Sequence, residues 1–189
     1  MKIGVLALQG AFAEHIIMLK KLGVKTAEIR LPKQLDDLDG LIIPGGESTT
    51  MGKLMVDYDL LEPLREFGLA HAMWGTCAGA ILLAKDAHRE QPLLNLMDIT
   101  VERNAFGRQV DSFEAALDIS ALKRNESDPF HAVFIRAPII ESVQGEAKAL
   151  VTLPDGRIVA AQDGHLLATS FHPELTGDTR FHEYFLSLI

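Results

Sequence analysis

Cysteine is almost absent from this chain of 189 residues: Cys77 is the only one. No intramolecular disulfide can form, and a lone thiol suits a reducing compartment, so the cytoplasm is the expected location. Basic residues are scarce beside acidic ones. With 18 Lys and Arg against 26 Asp and Glu, the formal net charge is −8, which argues against a nucleic-acid partner, because such binding rests on cationic side chains neutralising phosphates. Long apolar runs are missing as well. No segment approaches the roughly 20 apolar residues needed to span a bilayer. The opening run ends at Gln9-Gly10 and is followed by Glu14, so it is too short for a signal peptide and reads as a first strand. Disorder is excluded in turn, since 48% of residues are apolar and 23% charged, the balance of a soluble globular protein. The length suits one domain over residues 1–189, large enough for a core without disulfides or structural metals.

What is present is an alternation of short apolar runs and helical periodicities. Lys2 to Leu8 reads as a strand buried on both faces. Phe12, Ile16, Leu19 and Leu22 then recur at helical spacing, and Gly23 follows as a stop. Further strands are expected at Thr26 to Leu31, Gly40 to Ile43 and His71 to Gly75. Helices fall between them: one capped by Ser48 or Thr49 and running toward Val56, a second over Leu60 to Phe67, and a third over Ala80 to Ala84. Such alternation predicts right-handed βαβ units around a parallel sheet. After Asp86 the texture changes to β-like runs at Ile99 to Glu102, Phe113 to Leu117, Ala132 to Ile135, Ala149 to Leu153, Arg157 to Ala161 and Leu166 to Ser170. These add mixed or antiparallel strands before a final helix over Phe181 to Leu188. The expected fold is α/β: a single-domain three-layer sandwich around a mostly parallel twisted sheet with added antiparallel strands.

Gly75-Thr76-Cys77-Ala78-Gly79 has the G-x-nucleophile-x-G form of a strand-to-helix elbow, with Cys as the nucleophile. A sharp turn crowds its neighbours, which only small residues tolerate. The nearby helix N-terminus favours thiolate over thiol, and the Ala78 N–H would face a developing oxyanion. Phe171-His172-Pro173-Glu174 follows the last β-like run, at a strand end where α/β folds collect catalytic groups. In an extended backbone residues i and i+2 point the same way, so His172 could take the Cys77 proton while Glu174 accepts a hydrogen bond from the other ring nitrogen. Gly45-Gly46-Glu47-Ser48 follows the third strand, and Gly46 is a candidate second oxyanion donor.

PGGES, GTCAG and SFHPE in this order resemble class I glutamine amidotransferases, the triad glutaminases. Leu8-Gln9-Gly10, Pro44 to Met51, Val101 to Asn104, Phe106 to Glu114 and Phe134 to Pro138 narrow the resemblance to the glutaminase subunits of pyridoxal 5'-phosphate synthases, over essentially the whole chain. The least family signature lies in Asp86 to Met97 and Leu122 to Asp128, which read as variable loops. The resemblance implies a class I amidotransferase fold, a catalytic triad of Cys77, His172 and Glu174, and glutamine binding by Gly46, Glu47, Ser48, Arg103, Ile135 and Arg136. Guanidinium groups suit the α-carboxylate of free glutamine. It implies no cofactor or metal, and a protein partner: a (β/α)8-barrel synthase subunit in a large hetero-oligomer, which takes up the ammonia. It also implies that activity depends on docking, with the Gly45-Gly46 loop as the element that rearranges.

Three rival readings share parts of this pattern. A cysteine hydrolase or peptidase would keep the elbow but has no reason to carry His-Pro-Glu with paired arginines. A non-catalytic subunit should have lost a triad member, and none is missing. A glutaminase serving histidine or purine synthesis is opposed only by the family-specific segments.

Overall fold

The computed structural model describes residues 1–103, 112–122 and 128–189. The expected segment from Asn104 through Asp111, and residues 123–127 of the second variable loop, lie outside the described residues.

The apolar runs form the strands they predict, with ends displaced by at most two residues. In chain order the first half is β1 (Lys2–Leu6), α1 (Phe12–Lys21), β2 (Lys25–Ile29), β3 (Gly40–Ile43), α2 (Ser48–Asp57), α3 (Leu61–Ala70), β4 (Ala72–Thr76) and α4 (Ala78–Leu83). The second half is β5 (Ala84–Asp86), β6 (Met97–Glu102), β7 (Ser112–Leu117), β8 (Phe130–Ile135), β9 (Ile139–Val143), β10 (Lys148–Thr152), β11 (Ile158–Asp163), β12 (Leu166–Thr169) and α5 (Arg180–Leu186). Strands β5 and β9 are additions to the sequence-based reading. β5 continues directly from α4, and β9 follows Pro138 and carries Glu141 and Ser142, so neither shows the apolar run that marks a buried strand.

Strand order in the main sheet is β2-β1-β3-β4-β12-β11-β9-β6-β5, with β10 on β11. The pairs from β2 through β12 are parallel. Beyond β12 the pairing turns antiparallel at β11, β9 and β6. Strands β7 and β8 form a separate antiparallel hairpin.

Helices cover both faces, giving the expected three layers. One core holds Met51 and Met55 of α2, Leu64 and Phe67 of α3 and the apolar side of α4 against the sheet. The other holds Ile16 and Leu19 of α1, Phe181 and Phe185 of α5 and the hairpin residues Phe130 and Phe134. Trp74 on β4 is fully buried in that second layer, stacked 6.1 Å from Phe181. Each such aromatic or aliphatic side chain contributes about 1.5–3 kcal/mol by leaving water, so the two faces hold the central strands from both sides.

This topology places the candidate residues. The order β2-β1-β3 reverses the direction of chain progression at β1 and β3, and open α/β sheets bind ligands at the carboxyl ends of strands beside such a switch. Adjacent parallel strands β3, β4 and β12 deliver there, in turn, the Gly45-Gly46 loop, Cys77 and His172.

Candidate active site

The elbow forms as its glycines require. Cys77 has φ +50° and ψ −106°, a strained conformation for a residue with a side chain. It is held by its N–H donating to the Thr169 carbonyl on β12 at 2.7 Å, while Ala80 N–H donates to the Cys77 carbonyl at 3.1 Å. A Cβ on Gly79 would stand 2.0 Å from the Ile43 carbonyl oxygen, and one on Gly75 2.4 Å from the Gly79 backbone. Both positions admit only glycine.

The thiol opens into a cleft of about 320 Å³ lined by Gln9, Gly45, Gly46, Glu47, Ser48, Cys77, Ala78, Arg103, Ile135, Arg136 and His172, among others. The expected positions therefore gather in one place, except that Glu174 stands behind His172 instead of on the wall. Cys77 Sγ lies 4.0 Å from the Ile135 carbonyl oxygen, and Arg136, at φ +42°, turns the chain where it lines the cleft.

His172 Nδ1 donates to Glu174 Oε1 at 2.7 Å, with Glu174 only 5% exposed. The pairing arises differently from the extended backbone expected. Pro173 starts a 3-10 turn, Pro173–Leu175, and Glu174 sits inside it. The proline ring fixes φ, bends the chain directly after His172 and swings the carboxylate back to the imidazole.

Burial works against a charged ring at His172, but hydrogen bonding to the Cys77 sulfur and to the Glu174 carboxylate outweighs it and pushes the pKa from 6.5 up to about 10. Burial likewise disfavours the Glu174 carboxylate, yet the adjacent His15 and His172 hold it below its ordinary value. At neutral pH His172 is therefore an imidazolium, the state that protonates a departing amine. Because its folded pKa lies above the unfolded one, its contribution to stability is complete below about pH 6.5 and is lost as pH rises through about 10. The melting temperature should fall more steeply between those limits in the wild-type chain than in His172→Gln, followed by circular dichroism. Parallel curves would contradict the assigned charge.

Helix α2 starts one residue earlier than its expected caps. Glu47, not Ser48 or Thr49, is the N-cap, its carboxylate accepting from Thr49 N–H at 3.3 Å and Thr50 N–H at 2.7 Å. Against the cost of burial, these donors and the Arg103 guanidinium hold Glu47 down to about 2. Arg103 donates to Glu47 Oε1 at 3.0 Å and to Thr49 Oγ1 at 2.9 Å, so it reaches the cleft already paired. Ser48 is buried and its hydroxyl is 3.4 Å from Gln91 Oε1, a residue of the first variable loop.

Two contributors carry no role in the sequence-based reading. Gln9 Oε1 accepts the Glu47 N–H at 2.7 Å, and Ala11 N–H donates to the Gly45 carbonyl at 3.0 Å. The β1–α1 turn thus fastens the glycine loop from outside the cleft. Gly10, at φ +96°, permits it, since a Cβ there would lie 1.8 Å from the Gly45 oxygen. The available signal is the glycine in the β1–α1 turn beside the switch point. Among the described residues no group of three His, Cys, Asp or Glu side chains could hold a metal ion, and no helix is long and apolar enough to cross a membrane.

The sequence profile described as the SNO glutamine amidotransferase family matches residues 5–189. The chain is 60% identical over 193 residues to the pyridoxal 5'-phosphate synthase subunit PdxT of Herpetosiphon aurantiacus and 58% identical to that of Moorella thermoacetica, each alignment covering all of both chains. Among solved structures it is similar to a glutamine amidotransferase at 48% identity and a TM-score of 0.91, covering 98% of this chain and 97% of that one. A putative GMP synthase component from Thermoplasma acidophilum, 17% identical, shares the fold at a TM-score of 0.70, with 100% of this chain and 93% of that one covered.

Proposed function

Because the chain belongs to the SNO glutamine amidotransferase family, we infer that Cys77, His172 and Glu174 perform its reaction. That reaction is the hydrolysis of L-glutamine to L-glutamate and ammonia, supplied to the synthase subunit of pyridoxal 5'-phosphate synthase. We place it in one glutaminase domain, residues 1–189, working in the cytoplasm, where the lone thiol stays reduced.

The observation that carries the residue assignment is a strained Cys77 opening into the same cleft as His172, whose far nitrogen is bound to buried Glu174. The Cys77 thiolate attacks the side-chain amide carbon, and the carbonyl electron pair moves onto oxygen, stabilised by the N–H groups of Ala78 and Gly46. Collapse of this intermediate expels ammonia, which takes its proton from His172. A water, deprotonated by His172, then attacks the γ-glutamyl thioester and releases glutamate and the thiolate. Arg103 and Arg136 offer guanidinium groups to the α-carboxylate, with Glu47, Ser48 and Ile135 completing the binding wall.

Ammonia released into neutral water becomes ammonium, which is not a nucleophile, so a synthase that consumes it needs delivery under cover. The assembly is a hetero-oligomer with the (β/α)8-barrel synthase subunit, whose docking activates the glutaminase. Moving the Gly45-Gly46 loop requires loosening Ala11 N–H to Gly45 O and Glu47 N–H to Gln9 Oε1, two bonds that a docked partner can compensate. Glutamate release measured with and without the synthase partner should be slow for the isolated chain and faster in the complex, which should make pyridoxal phosphate from glutamine. Equal rates in both conditions would remove the docking dependence.

A further inference from the structure

Behind the triad, on the side away from the cleft, lie two histidines that the chemistry above does not use. His15 on α1 and His182 on α5 are both fully buried. His15 Nδ1 is 3.0 Å from His182 Nε2. His15 Nε2 is 3.4 Å from Glu174 Oε2 and 3.2 Å from Thr76 Oγ1, the residue before the nucleophile. Glu174 Oε2 has no hydrogen-bond partner of standard geometry, so His15 is the donor that stands nearest to complete its shell. Trp74 closes the site from the side, its ring meeting both imidazoles edge-on at 5.5 and 4.9 Å.

Burial holds His15 below its ordinary value and His182 further below, so each ring is neutral and carries one proton. Two placements of these protons must be compared. With the His15 proton on Nδ1, the bare Nε2 lone pair would face a carboxylate oxygen. His182 would then carry its own proton on Nδ1, a buried atom with nothing to accept it. With both protons on Nε2, the His182 N–H donates to His15 Nδ1 and the His15 N–H donates to Thr76 Oγ1, with Glu174 Oε2 3.4 Å from the same nitrogen. The one idle atom is then a bare ring nitrogen, much cheaper to bury than an orphaned donor.

We propose that His15 is a positioning residue for the glutaminase reaction: its Nε2–H, fixed in that tautomer by His182, holds Oε2 of Glu174 while Oε1 orients His172. The same N–H reaches Thr76 and so ties the base and the nucleophile elbow to one point on α1. This rests on the triad assignment given under the proposed function. A carboxylate gripped on both oxygens keeps the imidazole aimed at the thiol through both proton transfers, and loss of that grip acts on turnover more than on substrate binding.

The test assays variants in complex with the synthase partner and reads kcat, KM for glutamine and melting temperature. Glutamine in place of His15 offers an amide N–H about where Nε2–H stands, and methionine fills the space without a donor. His15→Met should lower kcat about 10- to 100-fold with KM little changed, and His15→Gln should recover most of that loss. Wild-type kcat in His15→Met, or equal impairment of the Gln and Met variants, overturns the proposal. His182→Gln against His182→Met should show the same order with a smaller spread, and this second pair decides the matter if His15→Met does not fold; no difference within it overturns the proposal. Cys77→Ala is assayed alongside. If it is inactive while His15→Met runs at the wild-type rate, His15 positioning alone fails, whereas turnover retained in Cys77→Ala sinks the triad assignment itself.

Discussion

Replacing Cys77 with alanine is expected to lower glutamate release by on the order of 10⁴-fold or more while leaving the fold intact. The thiolate forms the covalent bond of both half-reactions, and no second thiol exists in the chain to take its place. The fold should survive because the backbone constraints are independent of sulfur. The N–H to Thr169 O and the carbonyl to Ala80 N–H remain, and alanine at φ +50° carries about the same strain as cysteine. Glutamate release and a thermal melt on one preparation separate the two quantities. Turnover within tenfold of the wild type would remove Cys77 from the mechanism.

Gly10→Ala is the second substitution with a large expected effect, although it touches no reacting group. The new Cβ would fall 1.8 Å from the Gly45 carbonyl oxygen, far inside contact distance, so the β1–α1 turn or the glycine loop must shift by about 1 Å or more. Displacement on that scale at a catalytic loop costs about 10²-fold in kcat/KM. Gly23→Ala is the control. Gly23 also has a positive φ, +72°, but nothing lies within 4 Å of its would-be Cβ, so it should lose about 1 kcal/mol of stability through backbone strain with unchanged turnover. Equal kinetics for the two variants would mean that the loop's seat against Gly10 is irrelevant to catalysis.

How far the site can be read from the sequence depends on how local each feature is. The elbow is legible because its signature residues lie within five positions, and each glycine answers a contact made in the same turn or in the neighbouring strand. His172 and Glu174 are legible as a pair, but the geometry joining them is not: a proline shortly after a strand can leave it extended or bend it, and here it bends it. Glu47 does not announce itself as a cap, because serine and threonine rank at least as high by propensity. A carboxylate reaching two N–H groups and one guanidinium outweighs that preference. The parallel strands declare themselves as continuous apolar runs, whereas β9 is polar along one side and follows a proline, so its pairing with β6 and β11 is decided by tertiary context. Gln9 and His15 carry no periodic signal for their roles. Their partners, Glu47 and Glu174, come near only when the sheet is assembled.

The solitary thiol at the elbow also governs how the enzyme fails. A reactive cysteine oxidised to a sulfenic acid is usually rescued by a neighbouring resolving cysteine. This chain has none. Recovery must come from a small external thiol that fits the cleft, where Cys77 is only 8% exposed. Thiol oxidation by peroxide therefore falls on a single sulfur, and the titratable thiol content of a preparation directly counts its surviving nucleophiles.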